Sequence, residues 1–88
     1  MTAAVTIRIV TTVDARGLAC PLPLTMAKRA MAALEPGSTL VVLSTDREAP
    51  IDLAAWALAA GHSYSEAVLE GWVEHRLGKG GGAQSGSI

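Results

Sequence analysis

The chain has 88 residues, half of them hydrophobic, with seven basic side chains against eight acidic ones and a formal net charge of −1. That length supports one domain burying roughly two-thirds of its unfolded surface, and the apolar content excludes a disordered tail. The near-neutral balance excludes the broad basic face that engages DNA or RNA, so no direct nucleic-acid partner is expected.

Residues 5–13, "VTIRIVTTV", are rich in β-branched types, and Ile7, Ile9 and Val13 keep one side apolar at period two, which predicts a strand. Asp14-Ala15-Arg16-Gly17 breaks it with a turn. From Pro21 the spacing becomes helical, with Leu24, Ala27, Met31 and Leu34 on one stripe and Lys28 and Arg29 outside it. Glu35-Pro36-Gly37 ends that helix. "TLVVLST", residues 39–45, reads as a buried central strand, and "IDLAAWALAAG" as a second helix between Pro50 and Gly61. "YSEAVLEGWVEHRL" reads as a hairpin turning at Glu70-Gly71. The expected domain is residues 1–78, and 79–88 form a Gly/Ser-rich flexible tail.

The order β-α-β-α-β-β predicts an α/β two-layer sandwich: a four-stranded mixed sheet with two helices on one face, the first two strands parallel. No signal peptide is evident, and the longest apolar run, Leu53 to Ala60, is too short to span a bilayer. A soluble cytoplasmic monomer with no membrane partner is the expectation.

The chemistry concentrates at Cys20, the only cysteine. It rules out an internal disulfide and any multi-cysteine zinc site within one chain, and a free thiol fits a reducing compartment. Prolines 21 and 23 are harmless only in a first helical turn, where N–H groups lack intrahelical partners. Cys20 is therefore expected at the N-cap, with Pro21 at the first helical position and Gly17 turning the chain in from the strand. A helix N-terminus favours the thiolate, the nucleophilic form, so an exposed and activated sulfur is expected. Positions three residues away hold Gly17 and Pro23, not the second cysteine of a dithiol motif. Position 26 is Met, not the arginine of a cysteine phosphatase, and two prolines remove amides that a rhodanese-like loop would need. What remains is a persulfide that hands its outer sulfur to another protein's cysteine.

"DARGLACPLPLTMAKRAM", followed by "EPGSTLVVLSTD" and "IDLAAW", resembles the TusA-type (SirA-like) sulfur-carrier family from about Asp14 to Leu77. The resemblance implies the two-layer sandwich, a persulfide on Cys20, and Gly17, Pro21 and Pro23 as motif residues. It implies a cysteine desulfurase or rhodanese as donor, and delivery to an acceptor protein in tRNA thiolation, molybdenum cofactor synthesis or sulfur oxidation. Carriers for tRNA thiolation in that family often read Cys-Pro-Glu-Pro. Leu22 stands between the prolines here, which shifts weight toward sulfur oxidation or general trafficking.

Candidate partner-binding residues are Arg16, Leu22, Met26, Lys28, Arg29 and Asp46; four have an ordinary structural alternative: solvated helix face for Lys28 and Arg29, packing for Met26, turn residue for Asp46. Asp52 reads as a favourable helix first-turn acid, and Trp56 as core. Trp72 has no assigned role. His62 and His75 lack ligand spacing, so no metal is expected, and no organic cofactor either. A competing class is a regulatory interaction module in which Cys-Pro-Leu-Pro only shapes a docking edge. A self-contained thiol enzyme lacks its resolving cysteine.

Overall fold

Strand β1 (Val10–Ala15) turns Val13 and Ala15 to the side on which β2 (Thr39–Ser44) presents Leu40 and Val42 and β4 (Trp72–Gly78) presents Leu77. This computed structural model describes residues 10–80. The remaining elements are α1 (Leu22–Ala32), α2 (Ala49–Ala60) and β3 (Ser63–Leu69), giving the order β-α-β-α-β-β. The sheet runs β1-β2-β4-β3, with β1 parallel to β2 and the other two pairings antiparallel. Ala27 and Met31 of α1 and Ala49, Leu53 and Ala57 of α2 join Ala15, Leu40, Val42 and Leu77 in one core. Both helices therefore cover the same face, as the α/β two-layer sandwich requires. Alanine at so many of these positions lets helix backbones approach the sheet closely in a chain without Phe.

Several boundaries move from the sequence expectation, among them the end of α1, which stops at Ala32 and leaves Leu34 of the expected stripe beyond it. The predicted strand 5–13 continues to Ala15, because Asp14 and Ala15 still pair with Leu43 and Ser44 of β2; residues 5–9 lie outside the described residues. Pro21, not Cys20, is the N-cap of α1. Its carbonyl accepts the first helical bond, from Thr25 N–H at 3.0 Å, so Cys20 stands one residue before the cap and Pro23 sits in the first turn. The second helix begins at Ala49 with Glu48 as N-cap, which takes Pro50 into the first turn, where its missing N–H costs nothing. Gly61 ends α2 in the left-handed region at φ +81, a conformation costly for a side chain with Cβ, and His62 N–H closes onto Ala57 O at 2.8 Å. The hairpin turns at Glu70-Gly71, with Leu69 opposite Trp72.

His75 is fully buried on the helix-facing side. One ring nitrogen, Nε2, lies 2.7 Å from Ser44 Oγ, and Nδ1 lies 2.8 Å from Tyr64 Oη, which donates to Glu66. Both nitrogens being partnered is what makes a buried imidazole tolerable. Backbone hydrogen bonds hold the chain one residue past β4, with Lys79 N–H donating to Ser38 O at 2.8 Å. Lys79 Nζ donates to the carbonyls of Met31 and Leu34 at the end of α1, and Gly80 N–H donates to His62 Nδ1. Lys79 and Gly80 are thus bonded to the body, and residues 81–88 of the expected tail lie outside the described residues.

Candidate functional site

Parallel pairing of β1 with β2 brings both strand ends, Ala15 and Ser44, to one pole of the sheet, and the β3–β4 turn lies at the same pole. Both helices start there. The connection 16–21 crosses from β1 to α1 over this pole and carries Cys20, which is exposed. Gly17 adopts φ +84, and its N–H donates to Thr45 Oγ1 at 2.9 Å, tying the Cys20 connection to the end of β2. Pro23 is fully buried and anchors the first turn of α1, while Leu22 beside it is exposed.

Cys20 Sγ donates to Asp52 Oδ2 at 3.1 Å. Asp52 lies in the first turn of α2, and Glu48 caps the same helix. The Asp52 hydrogen bond, with desolvation and the negative charges of Asp52, Asp46 and Glu48, pushes the thiol up to about 11 from an ordinary 9.0. This corrects the expectation of an activated thiolate. The helix end fails to supply donors because Leu22 N–H is spent on Ala19 O at 2.9 Å and residues 21 and 23 are prolines. The hydrogen-bond partner of the sulfur is a carboxylate, which favours the protonated thiol.

The other expected site residues divide by place. Arg16 lies at the pole but is held in a fork by Asp14, with Nε to Oδ1 and Nη2 to Oδ2 both at 2.9 Å. Its guanidinium also stacks over the Trp72 ring, 5.1 Å from the centroid. Arg16 draws Asp14 down to about 2 through their hydrogen bonds. Asp46 accepts Glu48 N–H at 3.2 Å, so it serves the turn into α2 while adding charge near the thiol. Met26 packs against the core. Lys28 is exposed on α1 and lines a cleft of about 380 Å³ with Met31, Trp56, His62 and Lys79, away from the Cys20 pole. Arg29 is exposed in the last turn of α1. The structure therefore places Arg16, Gly17, Pro21, Leu22, Pro23 and Asp46 at the Cys20 pole, packs Met26 against the core, and leaves Lys28 and Arg29 further along α1.

Sequence reasoning missed Asp52 and Glu48 as neighbours of the thiol, and Trp72 as the platform for Arg16. A first-turn acid is self-explanatory locally, so nothing at Asp52 signals a partner 32 residues earlier. Cys20, Glu48 and Asp52 each offer an atom within 4.8 Å of the others. The thiol hydrogen bond and the turn of α2 account for this grouping, and no metal is assigned to it. Among the described residues, no helix is long and apolar enough to cross a membrane.

A small two-layer sandwich that presents one exposed cysteine, tied by glycine and proline to the junction of strand and helix, defines a thiol-presenting domain. The family model described as Sulfurtransferase TusA matches residues 11–79, and the chain belongs to that family. YrkI of Bacillus subtilis, named as a candidate sulfur carrier protein, is 48% identical over 58 residues, covering 66% of this chain and 77% of that one. YrkF of the same organism, similarly named, is 44% identical over 69 residues; these cover 77% of this chain but only 37% of YrkF. The sulfur carrier protein TusA of Allochromatium vinosum is 39% identical over 64 residues, covering 73% of this chain and 84% of that one. A crystal structure of a SirA-like protein from Desulfitobacterium hafniense superposes with TM-score 0.73 at 30% identity, covering 82% of this chain and 99% of that one.

Proposed function

We propose that this chain is a sulfur carrier that holds sulfane sulfur as a persulfide on Cys20 and relays it between a donor and an acceptor protein. The observation that carries the reading is the exposed Cys20 on the tied connection between β1 and α1. Membership of the TusA family and the carrier names of its relatives support it. A cysteine desulfurase or a rhodanese supplies the sulfur, and a thiol of the acceptor removes it. In receipt, Cys20 Sγ attacks the outer sulfur of the donor persulfide; the donor S–S bond breaks, and the Cys20 proton ends on the donor thiol. Delivery reverses the roles, and no external oxidant or reductant enters. Gly17 and Pro23 hold the connection, and Leu22 meets the partner. A free, exposed thiol suits the reducing cytoplasm, where the relay is expected to run.

The test is intact mass after incubation with a cysteine desulfurase and cysteine, or with a rhodanese and thiosulfate. One added sulfur atom is expected, removed by reductant and absent in Cys20→Ser. A folded protein with an accessible thiol that gains nothing from either donor would overturn the reading in favour of an interaction module. In that case Cys20→Ser would retain partner binding and cellular function.

A further inference from the structure

The carrier reading leaves a conflict, because its sulfur sits against a carboxylate. A nucleophile waiting to attack a persulfide is better served by a neighbouring cation. The groups around Cys20 supply the opposite. From α2 come Asp52, in hydrogen-bond contact, and the N-cap Glu48; from the loop before α2 comes Asp46. From α1 there is no acidic group in the first turn, and no basic one before Lys28. The one cation on the Cys20 connection, Arg16, is doubly bound by Asp14 and stacked on Trp72. Arg47 lies at the same pole, where it lines a cleft with Asp46, Pro50, Val68 and Trp72, but the charges acting on the thiol are those of Asp52, Asp46 and Glu48. The pole is also framed by exposed apolar side chains, Leu22, Ile51 and Val68, which an approaching protein would cover.

We propose that Asp52, backed by Glu48 and Asp46, gates Cys20, and that the gate opens for a partner carrying a cationic side chain beside its reacting sulfur. This inference rests on the carrier reading and names the chemistry of the partner. In the free protein the thiol proton is shared with Asp52, which keeps the sulfur idle toward oxidants and stray disulfides. An arriving lysine or arginine pairs with the carboxylate, removes its pull on the proton and balances the charge of the forming thiolate. Exchange then proceeds at the sulfur the same partner presents. Asp52 is half-buried and not sealed, which matters here, since a fully buried carboxylate would be out of a partner's reach. Selectivity thus comes from the pole's own charge and needs no pocket for the sulfur.

Small disulfides of different charge test this directly, because each reacts with Cys20 by the same exchange: the protein thiol becomes a mixed disulfide and one small thiol is released. Reduced protein is mixed at low ionic strength with cystamine, which is dicationic, hydroxyethyl disulfide, which is neutral, or dithiodipropionate, which is dianionic. Mixed-disulfide formation is followed by intact mass, with rates normalised to those of a free cysteine peptide. The normalised rate should favour cystamine over dithiodipropionate by about tenfold or more, and added salt should shrink the difference. In Asp52→Asn the difference should narrow, and the pH profile of alkylation by iodoacetamide should move at least about one unit lower. Glu48→Gln should shift both in the same direction by less, and serves if Asp52→Asn misfolds. Equal normalised rates for the three disulfides in the unaltered protein would overturn the gate, as would an alkylation profile unmoved by a folded Asp52→Asn. Neither readout requires sulfur loading. A protein that shows the charge selectivity but never gains sulfur would keep the gate and lose the carrier reading.

Discussion

Cys20 and Asp52 meet because a turn glycine and a proline-started helix bring one side chain to the edge that the second helix approaches with its first turn. The cysteine was legible in the sequence: a lone thiol followed by Pro-Leu-Pro has few structural uses, and the prolines themselves mark a helix start. Its ionisation was not. Helix-end reasoning predicts an acidic thiol, while the local spending of the Leu22 N–H and the tertiary arrival of Asp52 push it to about 11. Gly17 offers a prediction at this scale. Its φ of +84 is strained for any residue with Cβ, although space around it is open. Gly17→Ala should cost about 1–2 kcal/mol of stability, read as a lower urea midpoint with unchanged slope. An unchanged midpoint would show that the connection tolerates another backbone path.

Among the elements, β2 and the hairpin were readable because their patterns are local: an apolar run bounded by turns, and a two-residue Glu70-Gly71 connection. The boundaries of β1 and the helices were not, since pairing with β2 carries β1 to Ala15 and a carbonyl one residue later starts α1. His75 shows the same limit. Its segment reads only as one arm of a hairpin, yet β4 lies between β2 and β3, which buries it against Ser44 and Tyr64. His75→Ala should cost about 2–4 kcal/mol in urea unfolding, from a cavity and two partners left behind. Burial holds His75 below the ordinary 6.5, outweighing the raising influence of Glu66. His62 is also lowered, by burial and by Lys79. The unfolded chain therefore binds more protons than the folded one just below 6.5. Stability should be full above that pH and fall as the pH drops toward the folded values, with a shallower fall in His75→Ala. Flat stability through this range would contradict the buried neutral imidazole.

At the scale of the whole molecule, the two ends differ in net charge. Asp46, Glu48 and Asp52 gather at the Cys20 pole, while Lys28 and Lys79 flank the cleft beneath Trp56 and His62. A net charge of −1 conceals this difference, so composition says nothing about which end meets a partner. The β-α-β-α-β-β order was legible because each transition changes the hydrophobic period, and right-handed crossover leaves little freedom for the parallel pair. The pole's charge was not legible, because it is assembled from a loop and a helix that join only in the fold.

The central claim is that Cys20 receives sulfur and passes it on, and one chase experiment follows both halves. The protein is loaded by a cysteine desulfurase given cysteine with radiolabelled sulfur, separated from donor and free cysteine, and mixed with a reduced rhodanese. Label bound to Cys20 in a reductant-labile form should leave the carrier and appear on the rhodanese cysteine, with none carried by Cys20→Ser. Label that never binds Cys20, or that binds and stays on a folded carrier in the presence of the competent acceptor, would contradict the account.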